Sequence, residues 1–215
     1  EDFDGDGHKD VWKNEGDALA SAANYLRKSG YAMGQPWGIE VAVPAGFDFG
    51  LADGNERRMD TWRAAGLVPI TGGAFETGGA DFSQLWLPAG AEGPKYLLFN
   101  NFKVFKTYNN ADSYAFAVGM AGNAIMGERG PVTPWPTHLR PLSVADIKAL
   151  QAGLNARGFS AGPVDGIPGR QTKLALQGFQ KSRGLVADGY PTKEMLTLLN
   201  ASGGVGVSSA SDGPS

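Results

Sequence analysis

Asp2, Asp4 and Asp6 alternate at the start of the chain, Gly7 follows, and His8 and Asp10 come next. Carboxylates at every second position, ahead of a glycine that permits a sharp turn, form the front half of an EF-hand calcium loop. Hard oxygen ligands in that pattern wrap around one cation. The seventh loop residue, His8, would give its backbone carbonyl, so its imidazole need not bind anything. The twelfth position, where a bidentate glutamate normally closes the loop, is Lys13. A longer loop closed by Glu15 or Asp17 is therefore expected, with Asp17 preferred. Such a calcium ion would be structural. The competing reading is a solvated acidic turn in which Asp17 only caps a helix.

The whole chain narrows the partners for such a site. It has 215 residues, with 19 basic against 22 acidic ones. No basic field exists to draw in nucleic acid or anionic lipid, so an uncharged or mixed-charge ligand fits better. Zero cysteines exclude disulfides and thiolate metal sites. No apolar run is long enough to span a bilayer. The first residue, Glu1, is neither a methionine nor part of a basic leader, so the natural N-terminus is expected to lie elsewhere. The 32 glycines and 13 prolines predict many turns and a mixed architecture, which disfavours a plain helical bundle.

The elements that would hold these residues follow from periodicity. Asp17 to Lys28 reads as a helix with Asp17 as N-cap, Leu19, Ala22, Ala23 and Leu26 as its apolar stripe, and Gly30 as its stop. From Trp37 the period becomes two, with Ile39, Val41 and Val43 on one side of a strand. A short helix around Met59–Ala65 follows, then strands at Leu85–Leu87 and Tyr96–Lys106. Asp112–Met126 returns to helical spacing, with Tyr114, Ala117, Val118, Ala121 and Ile125 on one face. Pro131, Pro134, Pro136 and Pro141 mark residues 127–141 as a semi-rigid linker. Beyond it, helices at Ser143–Arg157, Arg170–Ser182 and Thr192–Leu199 should pack around Leu150, Leu154, Phe159, Leu174, Leu176, Phe179, Leu185 and Leu199. The glycine- and serine-rich residues 201–215 are expected to be disordered.

Asp2-Phe-Asp-Gly-Asp-Gly-His, then Trp12, then Asp17-Ala-Leu-Ala-Ser-Ala-Ala-Asn-Tyr-Leu, resembles the calcium loop and following helix of the soluble and membrane-bound murein transglycosylase B family. Asn101-Phe-Lys-Val-Phe-Lys-Thr-Tyr-Asn-Asn-Ala-Asp-Ser-Tyr114 resembles the stretch that closes that family's substrate cleft. The resemblance implies that Tyr25, Tyr108, Asn109 and Tyr114 line the cleft. Aromatic faces suit sugar rings, and an Asn amide suits N-acetyl groups and hydroxyls. Each residue also has a plain reading: Tyr25 and Tyr114 as packed aromatics, Asn109 as a helix cap.

A third match lies in Leu150-Gln-Ala-Gly-Leu, Gly158-Phe, Gly162-Pro-Val-Asp-Gly-Ile-Pro-Gly, Gln171-Thr-Lys-Leu-Ala-Leu, Phe179-Gln and Gly184-Leu-Val-Ala-Asp-Gly, which together resemble the peptidoglycan-binding domain of wall hydrolases. The Asp165-Gly166 and Asp188-Gly189 pairs read as tight turns between its helices. The implied whole is an α+β chain. Residues 1–126 form part of a lysozyme-like core, with the calcium loop at 2–17 and a β-subdomain at about 36–100. Residues 142–200 form a three-helix wall-binding domain.

By the same resemblance the activity is that of a lytic transglycosylase acting on peptidoglycan glycan strands, in a monomer placed in the periplasm or at the outer membrane. The family's acid is a glutamate followed by serine and sited upstream of the calcium loop. None of Glu15, Glu40, Glu56, Glu76, Glu92, Glu128 and Glu194 is followed by serine, so no catalytic residue is assigned in this chain. The rival expectation is a non-catalytic peptidoglycan-binding protein.

Overall fold

The computed structural model describes residues 1–201. The expected disordered tail lies, beyond Ala201, outside the described residues. Two compact units are formed: residues 1–47, 54–88 and 93–134 make the first, and residues 48–53, 89–92 and 135 onward make the second.

The first unit opens with the acidic turn and helix α1 (Glu15–Lys28). Its N-cap is Asn14, whose side chain accepts the Asp17 N–H, and not Asp17 as the sequence reading had it. Asp17 sits instead in the first turn, buried, where a carboxylate also complements the helix dipole. The expected stripe on α1 is largely outward: Leu19 is 72% exposed, Ala22 and Ala23 are exposed, and only Leu26 packs against the core.

A five-stranded antiparallel sheet follows, in the order β2-β4-β5-β1-β3. Its strands are β1 (Gly38–Ala42), β2 (Glu56–Arg58), β3 (Val68–Pro69), β4 (Phe82–Trp86) and β5 (Tyr96–Leu98), with the short helix α2 (Met59–Ala64) set between β2 and β3. Pro69, which has no N–H for a ladder, stands on the edge strand.

The segment Tyr96–Lys106 is not one strand. Only Tyr96–Leu98 pairs in the sheet, and Asn100–Lys106 is helix α3. The reason is Asn101. Fully buried, it accepts the Ala32 N–H at 2.9 Å and donates to the carbonyls of Ala32 and Gln35 at 2.9 and 2.7 Å. These long-range bonds, together with burial of Phe102 and Phe105, outweigh a strand propensity that spans only about 1 kcal/mol.

Helix α4 (Asp112–Ile125) buries Ala115 and Gly119, while Ala117, Ala121 and Ile125 point outward. The inward face is thus rotated from the expected stripe. A Cβ on Gly119 would stand 2.5 Å from the Trp37 ring, and Trp37 Nε1 donates to Asn123 Oδ1 at 2.9 Å. Residues 115, 119 and 123 therefore share one face, and the large indole selects the small side chains. Around it pack Tyr96, Leu98, Phe102, Phe105 and Phe116.

The second unit holds α5 (Val144–Asn155), α6 (Arg170–Ser182) and α7 (Lys193–Ala201). Ser143 and Asp146 form a reciprocal capping box that starts α5. Leu150, Leu154, Leu176, Phe179 and Leu199 are buried together with Ala161 and Ala175. Leu174 and Leu185 are each 39% exposed and stand outside that core, Leu174 because α6 turns its 175–176 and 179–180 face inward.

Candidate functional site

In the acidic turn, ligand oxygens of Asp2, Asp4 and Asp6 converge within 4.8 Å of one another. Backbone amides fold the turn onto these carboxylates. Asp2 accepts the Gly5 and Gly7 N–H groups at 2.8 and 2.9 Å, Asp4 accepts that of Asp6, and Asp6 accepts that of His8 at 2.7 Å. Gly5 and Gly7 both have positive φ, at 77° and 86°, which the tight turn requires. An all-oxygen donor set of this kind fits a hard divalent cation.

His8 and Asp17 are not in the converging group among the described residues. Asp17 accepts the Phe3 N–H at 2.7 Å on Oδ1 and the Asp10 N–H at 2.9 Å on Oδ2, so it ties both ends of the turn to the start of α1. Asn14 adds a bond from its side-chain amide to Asp4 at 2.7 Å. Asn14 was not singled out from sequence. The signal was available as Asn14-x-x-Asp17, the spacing of a capped helix start.

Three of the four residues named for the cleft meet. Tyr25 from α1, Tyr108 from the turn after α3, and Tyr114 from α4 form one aromatic cluster. Tyr25 meets Tyr108 edge-on at 6.4 Å between ring centroids, and Tyr108 stacks on Tyr114 at 5.9 Å. Tyr108 is 73% exposed and Tyr25 43%, so ring surface stays open to solvent. The Tyr25 hydroxyl reaches Thr107 Oγ1 at 3.4 Å, a residue that sequence reasoning did not name. Asn109 is exposed, and its Oδ1 accepts the Ala111 N–H at 3.0 Å ahead of α4. An open groove of about 740 Å³ runs between the acidic turn and α1, bordered by Phe3, Ala23, Leu26, Tyr31 and Met33; Tyr25, Tyr108 and Tyr114 are not among the residues that line it.

Several of the chain's glutamates have other partners. Glu40 accepts the backbone N–H groups of Val132 and Thr133, Glu56 pairs with Lys103, and Glu92 with His138. Glu194 has its carboxyl held below the usual range by backbone hydrogen bonding and the Thr192 hydroxyl, the opposite of what a proton donor near neutral pH needs. Burial pushes the Tyr96 phenol up, with the Glu40 charge adding to it, and it lowers the Lys95 ammonium.

Residues 1–123 match the family described as "Transglycosylase SLT domain", and residues 143–199 match the one described as "Putative peptidoglycan binding domain". The chain belongs to the transglycosylase SLT family, with a peptidoglycan-binding domain at its C-terminal side.

SltB3 from Pseudomonas aeruginosa, solved in complex with NAG-anhNAM-pentapeptide and with NAG-NAM-pentapeptide, is 42% and 43% identical. It has a TM-score of 0.86 over 93% of this chain and 54% of its own. Membrane-bound lytic murein transglycosylase B of Escherichia coli is 34% identical over 128 residues, 58% of this chain and 33% of that protein. N-acetylmuramoyl-L-alanine amidase CwlM of Mycobacterium tuberculosis is 46% identical over 59 residues, 27% of this chain and 14% of its own. The chain therefore spans about half the length of SltB3 and a third of the Escherichia coli enzyme. Its architecture is the mixed helix-and-sheet, lysozyme-like fold of this family.

Proposed function

We propose that this chain is the part of a peptidoglycan lytic transglycosylase that supplies a structural calcium site, one wall of the glycan cleft and wall binding. The observation that carries the reading is the meeting of Tyr25, Tyr108 and Tyr114 on a chain whose first 123 residues belong to the transglycosylase family. The three rings offer apolar faces to N-acetylated sugars, and Asn109 offers an amide beside them. Calcium would be held by Asp2, Asp4, Asp6 and the His8 carbonyl, with Asp17 closing the turn from α1. Its role is to stiffen the entry to the helix that carries Tyr25.

In the reaction an acid protonates the oxygen between N-acetylmuramic acid and N-acetylglucosamine. The bond breaks through an oxocarbenium-like state, the muramyl C6 hydroxyl adds to C1, and its proton returns to the base, giving a 1,6-anhydro sugar. The anhydro sugar in one SltB3 complex is the kind of product this reaction leaves. The acid is not among this chain's glutamates, none of which precedes a serine. That same observation favours a second reading, a non-catalytic peptidoglycan-binding protein. The chain is read as a monomer placed in the periplasm or at the outer membrane; no helix among the described residues is long and apolar enough to cross a membrane.

Purified chain mixed with sacculi separates these readings. It should sediment with them and release no 1,6-anhydro muropeptides, and Tyr108→Ala should weaken binding of soluble glycan strands several-fold. Release of anhydro products would place the acid inside the chain, and recovery wholly in the supernatant would refute wall binding. Turnover on adding the upstream part of the parent protein would select the enzyme over the binder.

A further inference from the structure

The helical unit contains one hydrogen-bonded clasp twice. In the first copy Gln151 Nε2 donates to Asp165 Oδ1 at 3.0 Å, the Gly166 N–H donates to Gln151 Oε1 at 2.9 Å, and the Ile167 N–H donates to Asp165 Oδ1 at 2.8 Å. In the second copy Gln180 Nε2 donates to Asp188 Oδ1 at 2.8 Å, the Gly189 N–H to Gln180 Oε1 at 2.8 Å, and the Tyr190 N–H to Asp188 Oδ1 at 2.9 Å. The helix beneath matches as well. A Cβ on Gly166 would meet Val144 Cγ1 at 2.6 Å and Lys148 Cε at 3.3 Å, and one on Gly189 would meet Lys173 Cγ at 2.6 Å and Gln177 Cγ at 2.9 Å. Val144, Lys148, Gln151, Asp165 and Ile167 thus correspond to Lys173, Gln177, Gln180, Asp188 and Tyr190.

The copies differ in what covers them. In the second, Asp188 Oδ2 accepts the Ala91 N–H at 2.9 Å, and Gln177 Nε2 donates to the Phe49 carbonyl at 3.1 Å. Both bonds read main chain. Gly90, between Ala89 and Ala91, has a φ of 71° and lies against Tyr190, a conformation open to glycine and to D-residues. In the first copy the corresponding Asp165, Lys148, Val144 and Ile167 are all exposed, Ile167 at 66%. The clasp bonds on Asp165 engage Oδ1, so Oδ2 occupies the position from which Asp188 takes a main-chain N–H.

We propose that the face formed by Asp165, Lys148, Val144 and Ile167 binds the peptide branch of peptidoglycan: Asp165 accepts a backbone N–H, Lys148 pairs with a peptide carboxylate, and Val144 and Ile167 take small apolar side chains. In the second copy the corresponding aspartate already accepts a main-chain N–H, next to a residue in the conformation a D-residue prefers. The replacement of Gln177 by Lys148 adds a positive charge, which suits a ligand carrying carboxylates. The proposal rests on the wall-binding reading above and specifies which part of the polymer is held.

The test uses the whole chain, isotope-labelled, titrated with NAG-NAM-pentapeptide and with the same disaccharide lacking its peptide. The pentapeptide form should shift the amide signals of Val144, Lys148, Gly166 and Ile167. Asp165→Asn keeps an acceptor for the clasp and turns the outer oxygen into a donor, while Lys148→Gln restores the second copy's residue. The double variant should keep the parent's fold, read from the dispersion of its amide signals, and bind the pentapeptide form about tenfold more weakly, as expected for losing a charge-assisted hydrogen bond. Unchanged affinity in the folded double variant, or equal binding of the peptide-free disaccharide at these residues, would overturn the proposal. So would sedimentation with sacculi by a chain that does not bind the pentapeptide form. Failure to sediment at all would instead remove the wall-binding reading beneath it.

Discussion

At the scale of single residues, Asp17 links the acidic turn to the rest of the first unit. Both its oxygens take backbone N–H groups from the turn, at Phe3 and Asp10, and the carboxylate is buried. Asp17→Ala would leave two part-buried donors without a partner, at a cost of about 1–3 kcal/mol. Chemical denaturation should show that loss. Millimolar calcium added after chelation should raise the melting temperature of the parent chain, since a ligand held only by the folded form shifts unfolding by mass action. Asp17→Ala should lose that increment. If the increment persists in the variant, Asp17 only holds the turn and the cation site is complete without it.

At the scale of elements, α4 offers two glycines with opposite expectations. Gly119 has no room for a methyl group, since its Cβ would stand 2.5 Å from the Trp37 indole; Gly122, in the same helix, has nothing within 4 Å. Gly119→Ala should therefore destabilise by about 1–3 kcal/mol through overpacking, and should disturb Trp37 and its bond to Asn123. Gly122→Ala should stabilise by about 0.5–1 kcal/mol, because alanine holds helix better than glycine. Melting curves of the two variants check both signs. A Gly119→Ala chain as stable as the parent would mean that α4 does not seat on Trp37 as described.

For the whole molecule, the pH range of stability follows from groups in both units. Asp146 is held below the usual carboxylate range by the Ser143 hydroxyl and then its N–H, Asp165 by the Gln151 side chain and then the Ile167 N–H, and Glu194 by backbone hydrogen bonding and then Thr192. A folded pKa below the unfolded one contributes stability above about pH 4 that is lost as pH falls through the folded value. Tyr96 and Tyr190 are shifted the other way by burial, so their contribution is full below about pH 10 and is lost as pH rises through their folded values. Denaturation followed from pH 2 to 11 should show both limbs. Asp165→Asn should flatten only the acid limb of the helical unit, and an unchanged limb would show that Asp165 does not contribute to it.

Much of this was legible in the sequence wherever the cause is local. Helix α6 has the bounds that its apolar spacing indicates, Arg170–Ser182, and the aspartate–glycine pairs at 165–166 and 188–189 make the turns their residue types require. The alternation Asp2, Asp4, Asp6 determines that three carboxylates converge, because a turn of seven residues leaves their oxygens little choice. What the tertiary structure decided involves partners far apart in the chain. Asn101 turns 100–106 into a helix through Ala32 and Gln35, and Trp37 selects the 115–119–123 face of α4. Segments 48–53 and 89–92 join the helical unit although they are flanked by residues of the sheet. Tyr25 meets Tyr108 across more than eighty residues. Periodicity shows that a helix has an apolar side, but which side chains meet is fixed by the shape of what packs opposite, and no local window of sequence contains that shape.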